Sequence, residues 1–347
     1  MQFCDIKLLV FLLVTNQVSS DSDTEKEKHK ERAFSLARQW APKVWLHPEE
    51  RFFPGDVKEF LKEVTPIKKD CLECDPTSEI PVGAESEGYY LTTNREIGDL
   101  LANSSSILYG KNPDESYPPL YSFITPCDST YKSLIITYWF FYPYNEGKVV
   151  CTVPLGKARA LPVPKVFKKC LGKRTAFGSH VGDWEHMSLQ IKDSVPDSLY
   201  LSVHTVGAYY TYDKVSGCFV LSSIKRRGIS QVQDPPSTVQ IDDGHPIVFV
   251  ANGSHALWGS VGTYQYSKLN LNLLKDVVDY GTAWNTWERL EVYSTEEQIP
   301  DWYNYRGRWG NPRSGCLALS RLGLRNVCVH TDGPDGLSTR RMAISCT

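Results

Sequence analysis

Leu134-Ile-Ile-Thr-Tyr-Trp-Phe-Phe-Tyr142 runs without a charge, a glycine or a proline until Pro143 closes it. β-Branched and aromatic side chains dominate it, and such residues fit a pleated, buried surface. The run is too short for a buried helix of ordinary length, so it reads as a strand. Further strand candidates lie at 183–191, 198–205, 217–222 and 246–251. Turn-rich loops separate them, and residues 152–174 read as one such loop, broken by Pro154, Pro162 and Pro164. Helical signals are few. Ala33, Leu36, Ala37 and Trp40 recur at helical spacing before Pro42, residues 44–61 hold a short extended piece, a Pro-broken loop and a brief second helix, and 267–280 reads as another helix. The expected architecture is mainly β: a β-sandwich with a few peripheral helices. No composition break follows residue 33, so 33–347 is read as a single large domain.

Composition excludes several classes of function. With 41% hydrophobic and 12% aromatic residues, the chain is too apolar to be disordered. Lys and Arg number 38 against 40 Asp and Glu, which argues against nucleic acid as a partner.

Residues 1–20 read as a signal peptide: Lys7 supplies the charge, Leu8 to Val14 the apolar run, and Val18-Ser19-Ser20 the small-residue site. The run is well below the ~20 residues of a spanning helix, and no other stretch qualifies, so no transmembrane segment is expected. The mature chain is thus expected to be secreted and extracellular, with 21–32 as a charged, solvated N-terminal segment. Removing Cys4 leaves cysteines at 71, 74, 127, 151, 170, 218, 316, 328 and 346. In a secreted protein these are expected to pair as disulfides, and the odd number leaves one over. Cys71-x-x-Cys74 has no second CxxC, so disulfide bonding is favoured over a zinc site. Asn103-Ser-Ser and Asn252-Gly-Ser are glycosylation sequons.

The segment richest in chemistry is Gly178-Ser-His-Val-Gly-Asp-Trp-Glu-His186. In a strand, Asp183 and Glu185 share the face that continues as Met187, Leu189 and Ile191. Two carboxylates heading an apolar face require a cation, a proton or hydrogen-bond donors. Trp184 and His186 fall on the opposite face. His180 precedes the strand in a loop loosened by Gly178 and Gly182, within reach of the carboxylates. The set makes an H-x-x-D-x-E cradle for a divalent cation, with oxygen ligands favouring Ca²⁺ or Mg²⁺ over Zn²⁺. The competing reading pairs the carboxylates with Arg or with loop donors. Ser254 and His255 follow the apolar strand Ile247–Val250 and are placed to line the same site. The basic run Lys165, Lys168, Lys169, Lys173 and Arg174 is a solvated loop or a contact for anionic lipid or glycan. There is no G-x-S-x-G elbow, H-E-x-x-H, phosphate loop or dinucleotide fingerprint.

Several segments, in order, resemble the vacuolar protein sorting-associated protein 62 family: LARQWAPKVWLHPEERFFPGDVKEFL (36–61), YWFFYPYN (138–145), HVGDWEH (180–186), VANGSHA (250–256), GTAWNTW (281–287), GRWG (307–310) and GPDG (333–336). They span roughly residues 33–340 and support a single domain. A narrower similarity is to the necrosis- and ethylene-inducing peptide 1-like proteins, secreted β-sandwich cytolysins that bind a divalent cation through an H-x-x-D-x-E signature. That resemblance implies His180, Asp183 and Glu185 as metal ligands. The family's further acidic ligand follows an aromatic strand ending in Pro. Here the equivalent place holds Asn145, with Glu146 beside it, and the 147–177 insertion is a second departure.

Three functions remain. One is a secreted, non-enzymatic and toxin-like protein, whose divalent-cation site (His180, Asp183, Glu185, Asn145) orders a glycan- or membrane-binding surface. There Ser254, His255, Trp184 and His186 would support the site or touch the ligand. The second is a metal-dependent hydrolase with His186 or His255 as base. The third is a structural secreted protein with a hydrogen-bonded polar core.

Overall fold

A computed structural model describes residues 25–69, 79–154, 160–163, 169–204, 206–226, 233–269, 272–297, 299–316 and 328–346. The Leu8–Val14 run, Cys71, Cys74, Lys165 and Lys168 lie outside the described residues.

The uncharged run lies within the strand Ser133–Asn145, where every residue from Leu134 onward is buried. It pairs antiparallel with His180–Lys192, from Ser133↔Lys192 to Asn145↔His180. These two strands form the middle of an eight-stranded sheet. On one side follow Val195–Val203, Val206–Asp213, Cys218–Arg226 and Thr238–Val239, and on the other Leu120–Pro126 and Leu290–Ser294. A five-stranded sheet lies across it, with Lys43–Leu46 running parallel to His245–Val250 and antiparallel to Ala283–Asn285.

Both faces of the large sheet are covered, which is why the central strand shows no polar alternation. Leu134, Ile136, Tyr138, Phe140 and Tyr142 pack with Val44, Leu46, Val248 and Val250 of the smaller sheet. Trp139 and Phe141 on the opposite face pack with Phe52, Phe60, Trp302 and Trp309. The second core is held by short helices and loops, among them Val57–Phe60, Ile97–Ala102 and Asp301–Asn304. Residues 25–39 form the N-terminal helix, and Ala33, Leu36, Ala37 and Trp40 seat it on the first core. The architecture is thus a mainly β sandwich in one large domain, thickened by a third layer.

Two expectations are corrected. Residues 267–280 do not form a helix, because Gly262–Leu269 and Asn272–Val278 pair as a β-hairpin. Leu269 pairs with Asn272, so the two strands meet within the segment and a continuous helix cannot run through it. Residues 152–174 are not wholly loop either. Lys148–Pro154 pairs with both Ala160–Pro162 and Lys173–Phe177, and a disulfide joins Cys151 to Cys170. Cys127–Cys346 and Cys316–Cys328 are also bonded, and among the described residues the one free cysteine is Cys218, which is buried.

The GRWG and GPDG segments meet at the head of the signature strand. A Cβ added to Gly333 would lie 1.5 Å from the Trp309 carbonyl oxygen. Gly333→Ala is therefore expected to lower stability by about 1–3 kcal/mol through backbone displacement. A urea midpoint that falls at unchanged slope checks this.

Candidate functional site

Pro143 and Gly182 face each other between the pairs Tyr142↔Asp183 and Tyr144↔Val181. Gly182 has φ 68°, and beyond it the alternation of faces breaks. Tyr142 belongs to the first core, whereas Tyr144 and Val181 belong to the second. The switch returns Asn145 to the side of Asp183, and its amide donates to Asp183 Oδ2 at 2.8 Å and to the Ser254 carbonyl at 3.3 Å. The Asn145 side-chain oxygen Oδ1 accepts from Gly147 N at 2.9 Å.

His255 arrives from the smaller sheet. The turn after His245–Val250 places Gly253 (φ 69°) and His255 (φ 58°) in the left-handed region, a strained conformation for a histidine. The turn drives the imidazole fully into the core, stacked on Tyr142 with ring centroids 3.8 Å apart. His255 Nδ1 lies 3.0 Å from Asp183 Oδ2, and Nε2 lies 3.1 Å from the Phe52 carbonyl and 3.9 Å from Glu50 Oε1. Glu50 is buried and accepts backbone N–H bonds from Arg51, Phe52 and Gly253. Burial disfavours the imidazolium, but the bonds to Asp183 and Glu50 outweigh it and push the His255 pKa up to about 9. Burial likewise opposes the Asp183 carboxylate, and His255, His180 and Asn145 together hold its pKa below the usual range.

Glu185 behaves differently. The ladder between His180–Lys192 and Val195–Val203 ends at Met187↔Leu201. Past that point Ser202 Oγ accepts from His186 N at 3.0 Å and donates to the Glu185 carboxylate. Burial, reinforced by the Asp183 charge, pushes Glu185 well above the usual carboxylate range. His186 lies between the rings of Trp139 and Tyr200, and burial brings its pKa down to about 3. Trp184 is a core residue, stacked on Trp302 with centroids 5.7 Å apart.

His180, Asp183, Glu185 and His186 border one cleft of about 760 Å³, walled by Tyr200, Tyr209, Arg308 and Arg340. His180 Nδ1 is engaged by the Gly182 carbonyl at 2.7 Å. Among the described residues, no three His, Cys, Asp or Glu side chains form a group able to hold a metal ion. The donors are committed elsewhere: Asn145 turns its NH₂ rather than its oxygen to Asp183, and Glu185 engages Ser202. His255 and Ser254 do not line this cleft.

Ser254 belongs to a second polar cluster, which sequence reasoning missed. Asp276, fully buried, accepts from Ser254 Oγ at 2.7 Å and Trp258 Nε1 at 3.2 Å. It also meets Lys148 Nζ at 2.9 Å and His204 Nε2 at 2.8 Å. The hydroxyl of the Asn252 sequon is therefore closed inside the fold, while Asn103 is exposed. Glu50 and Arg340 were missed as well. Only their setting in the quoted segments, or close to one, marks them. An acid in a Pro-broken loop otherwise reads as solvated, and the Gly253 partner of Glu50 lies 203 positions away.

Two proteins of Saccharomyces cerevisiae align with most of the chain. Vacuolar protein sorting-associated protein TDA6 is 24% identical over 78% of this chain and 58% of its own length. Vacuolar protein sorting-associated protein 62 is 22% identical over 85% of this chain and 63% of its own. The chain thus spans about three fifths of the length of these relatives. Among solved structures, Necrosis and Ethylene inducing Protein 2 from the causal agent of cocoa's Witches Broom disease is 12% identical. That alignment covers 75% of this chain and 73% of that one, with a TM-score of 0.29. The vacuolar protein sorting-associated protein 62 profile matches residues 14–217, more than half of the sequence, and the chain belongs to that family.

Proposed function

We propose that this chain is a secreted, non-enzymatic protein that binds a glycan in the cleft beside the signature strand. The observation that carries this reading is the cleft's lining. Tyr200 and Tyr209 bring two half-buried aromatic rings, packed on each other with centroids 4.9 Å apart, and Glu185, Arg308 and Arg340 offer acceptors and donors around them. A sugar ring has an apolar C–H face and a rim of hydroxyls, so it needs this mixture. An acyl chain would need a continuous apolar wall instead. Three disulfides among the described residues support the secreted assignment. His255 is fully buried with both ring nitrogens engaged, which removes it as a base acting on a ligand in the cleft.

An oligosaccharide panel tests the reading. The purified chain is expected to retain at least one sugar and release it unchanged. Tyr209→Ala is expected to weaken that sugar about tenfold through the lost ring face. Hydrolysed product would support the metal-dependent hydrolase instead, and an unmoved affinity would remove the cleft from the reading.

A second reading keeps the divalent cation, favoured by one observation: His180, Asp183 and Glu185 border the same cleft. If a cation entered there, calcium or magnesium would raise the melting temperature and Glu185→Gln would abolish the rise. A flat response to both ions excludes it.

A further inference from the structure

Within the cleft, Arg340 is held in an unusual way. Its Nη1 donates to the Trp184 carbonyl at 2.9 Å and its Nε to the Asp335 carbonyl at 3.3 Å. Its guanidinium carbon lies 5.4 Å from the ring centroid of Trp139. Two backbone carbonyls and an aromatic face thus fix its direction, yet neither carbonyl neutralises its charge. Among the described residues no carboxylate lies within ion-pair distance of it, whereas two pairs close nearby: Arg308 with Asp335 at 3.0 Å, and Arg313 with Asp332 at 3.3 Å. Beside it, His186 lines the same cleft with both ring nitrogens buried and without a hydrogen-bond partner. A buried polar group left unpaired lowers stability, and a ligand that pairs it recovers the loss.

We infer that the sugar taken by this cleft is acidic, with Arg340 and His186 receiving its carboxylate. The inference rests on the glycan reading above and names the class of glycan. Arg340 Nε and Nη1 are held by the carbonyls, and Nη2 has no bond of its own among the described residues, so this nitrogen is the donor left for a carboxylate oxygen. Asp183 and Glu185 border the same cleft, and they disfavour a doubly charged phosphate more than a singly charged carboxylate. The sugar's hydroxyls would then face Glu185 and the tyrosines.

Titration calorimetry with trigalacturonate and with neutral galactotriose tests this on the full chain. The acidic sugar is expected to bind about tenfold more tightly. Arg340→Gln is expected to erase that preference while leaving galactotriose affinity within twofold. Arg340→Lys keeps the charge but not the planar fork, so it is expected to keep part of the preference, and it carries the test if the glutamine variant fails to fold. Equal affinity for the two sugars, or a preference that survives in Arg340→Gln, overturns the acidic assignment alone. Binding of neither sugar overturns it, and the oligosaccharide panel then shows whether the glycan reading falls with it. Displacement of trigalacturonate by inorganic phosphate at equal concentration overturns the choice of carboxylate.

Discussion

Asp183→Ala is expected to destabilise the chain by about 3–5 kcal/mol, the range for removing one partner of a buried ion pair. Asp183 and His255 are both buried, and Asn145 donates to the same carboxylate oxygen. Removing Asp183 leaves the His255 imidazolium with Glu50 at 3.9 Å and leaves the Asn145 amide short of one acceptor. Replacing both members with apolar residues, as in Asp183→Leu with His255→Leu, is expected to cost less than the sum of the single changes, because no buried charge is then stranded. Urea unfolding of the four proteins closes the cycle. A loss below about 1 kcal/mol for Asp183→Ala would show that the carboxylate is a site for something absent rather than part of the fold.

The second large effect is at Asp276. Burial opposes its carboxylate, but His204 and Lys148 outweigh that and hold its pKa far below the usual value. A carboxyl depressed in the folded state contributes stability that is complete above its unfolded pKa of about 3.9, and that contribution is lost as pH falls towards the folded value. Asp276→Asn is expected to be less stable than wild type by about 3–5 kcal/mol at pH 7, since it strands Lys148 and alters the bonds from Ser254 and Trp258. The gap is expected to narrow below pH about 4, where the wild-type carboxyl takes up a proton on unfolding. Melting temperatures of both proteins between pH 7 and pH 2 check this, and parallel curves would refute it.

The central strand was legible because its evidence is local. Uninterrupted aromatic and β-branched residues specify a strand buried on both faces, and the GDWEH segment showed which carboxylates share a side. The same local reasoning misjudged 267–280, where the pairing of Leu269 with Asn272 closes a hairpin inside a segment of helical spacing. It also missed the ribbon within 148–177, whose strands are short and held by a disulfide.

The polar sites divide along the same line. The sequence by itself determined that Asp183 and Glu185 lie on one apolar face and need compensation, because alternation along a strand is a property of the chain alone. Which group compensates each was decided only by the tertiary structure. The glycine kink at 182 swings Asn145 back, a left-handed turn drives His255 into the core, and a splayed ladder lets Ser202 reach Glu185. Arg340 reaches the Trp184 carbonyl from 156 positions along the chain. Such long-range hydrogen bonds leave no periodic trace in the residues that make them, so only the fold could bring the Arg340 guanidinium to the signature strand.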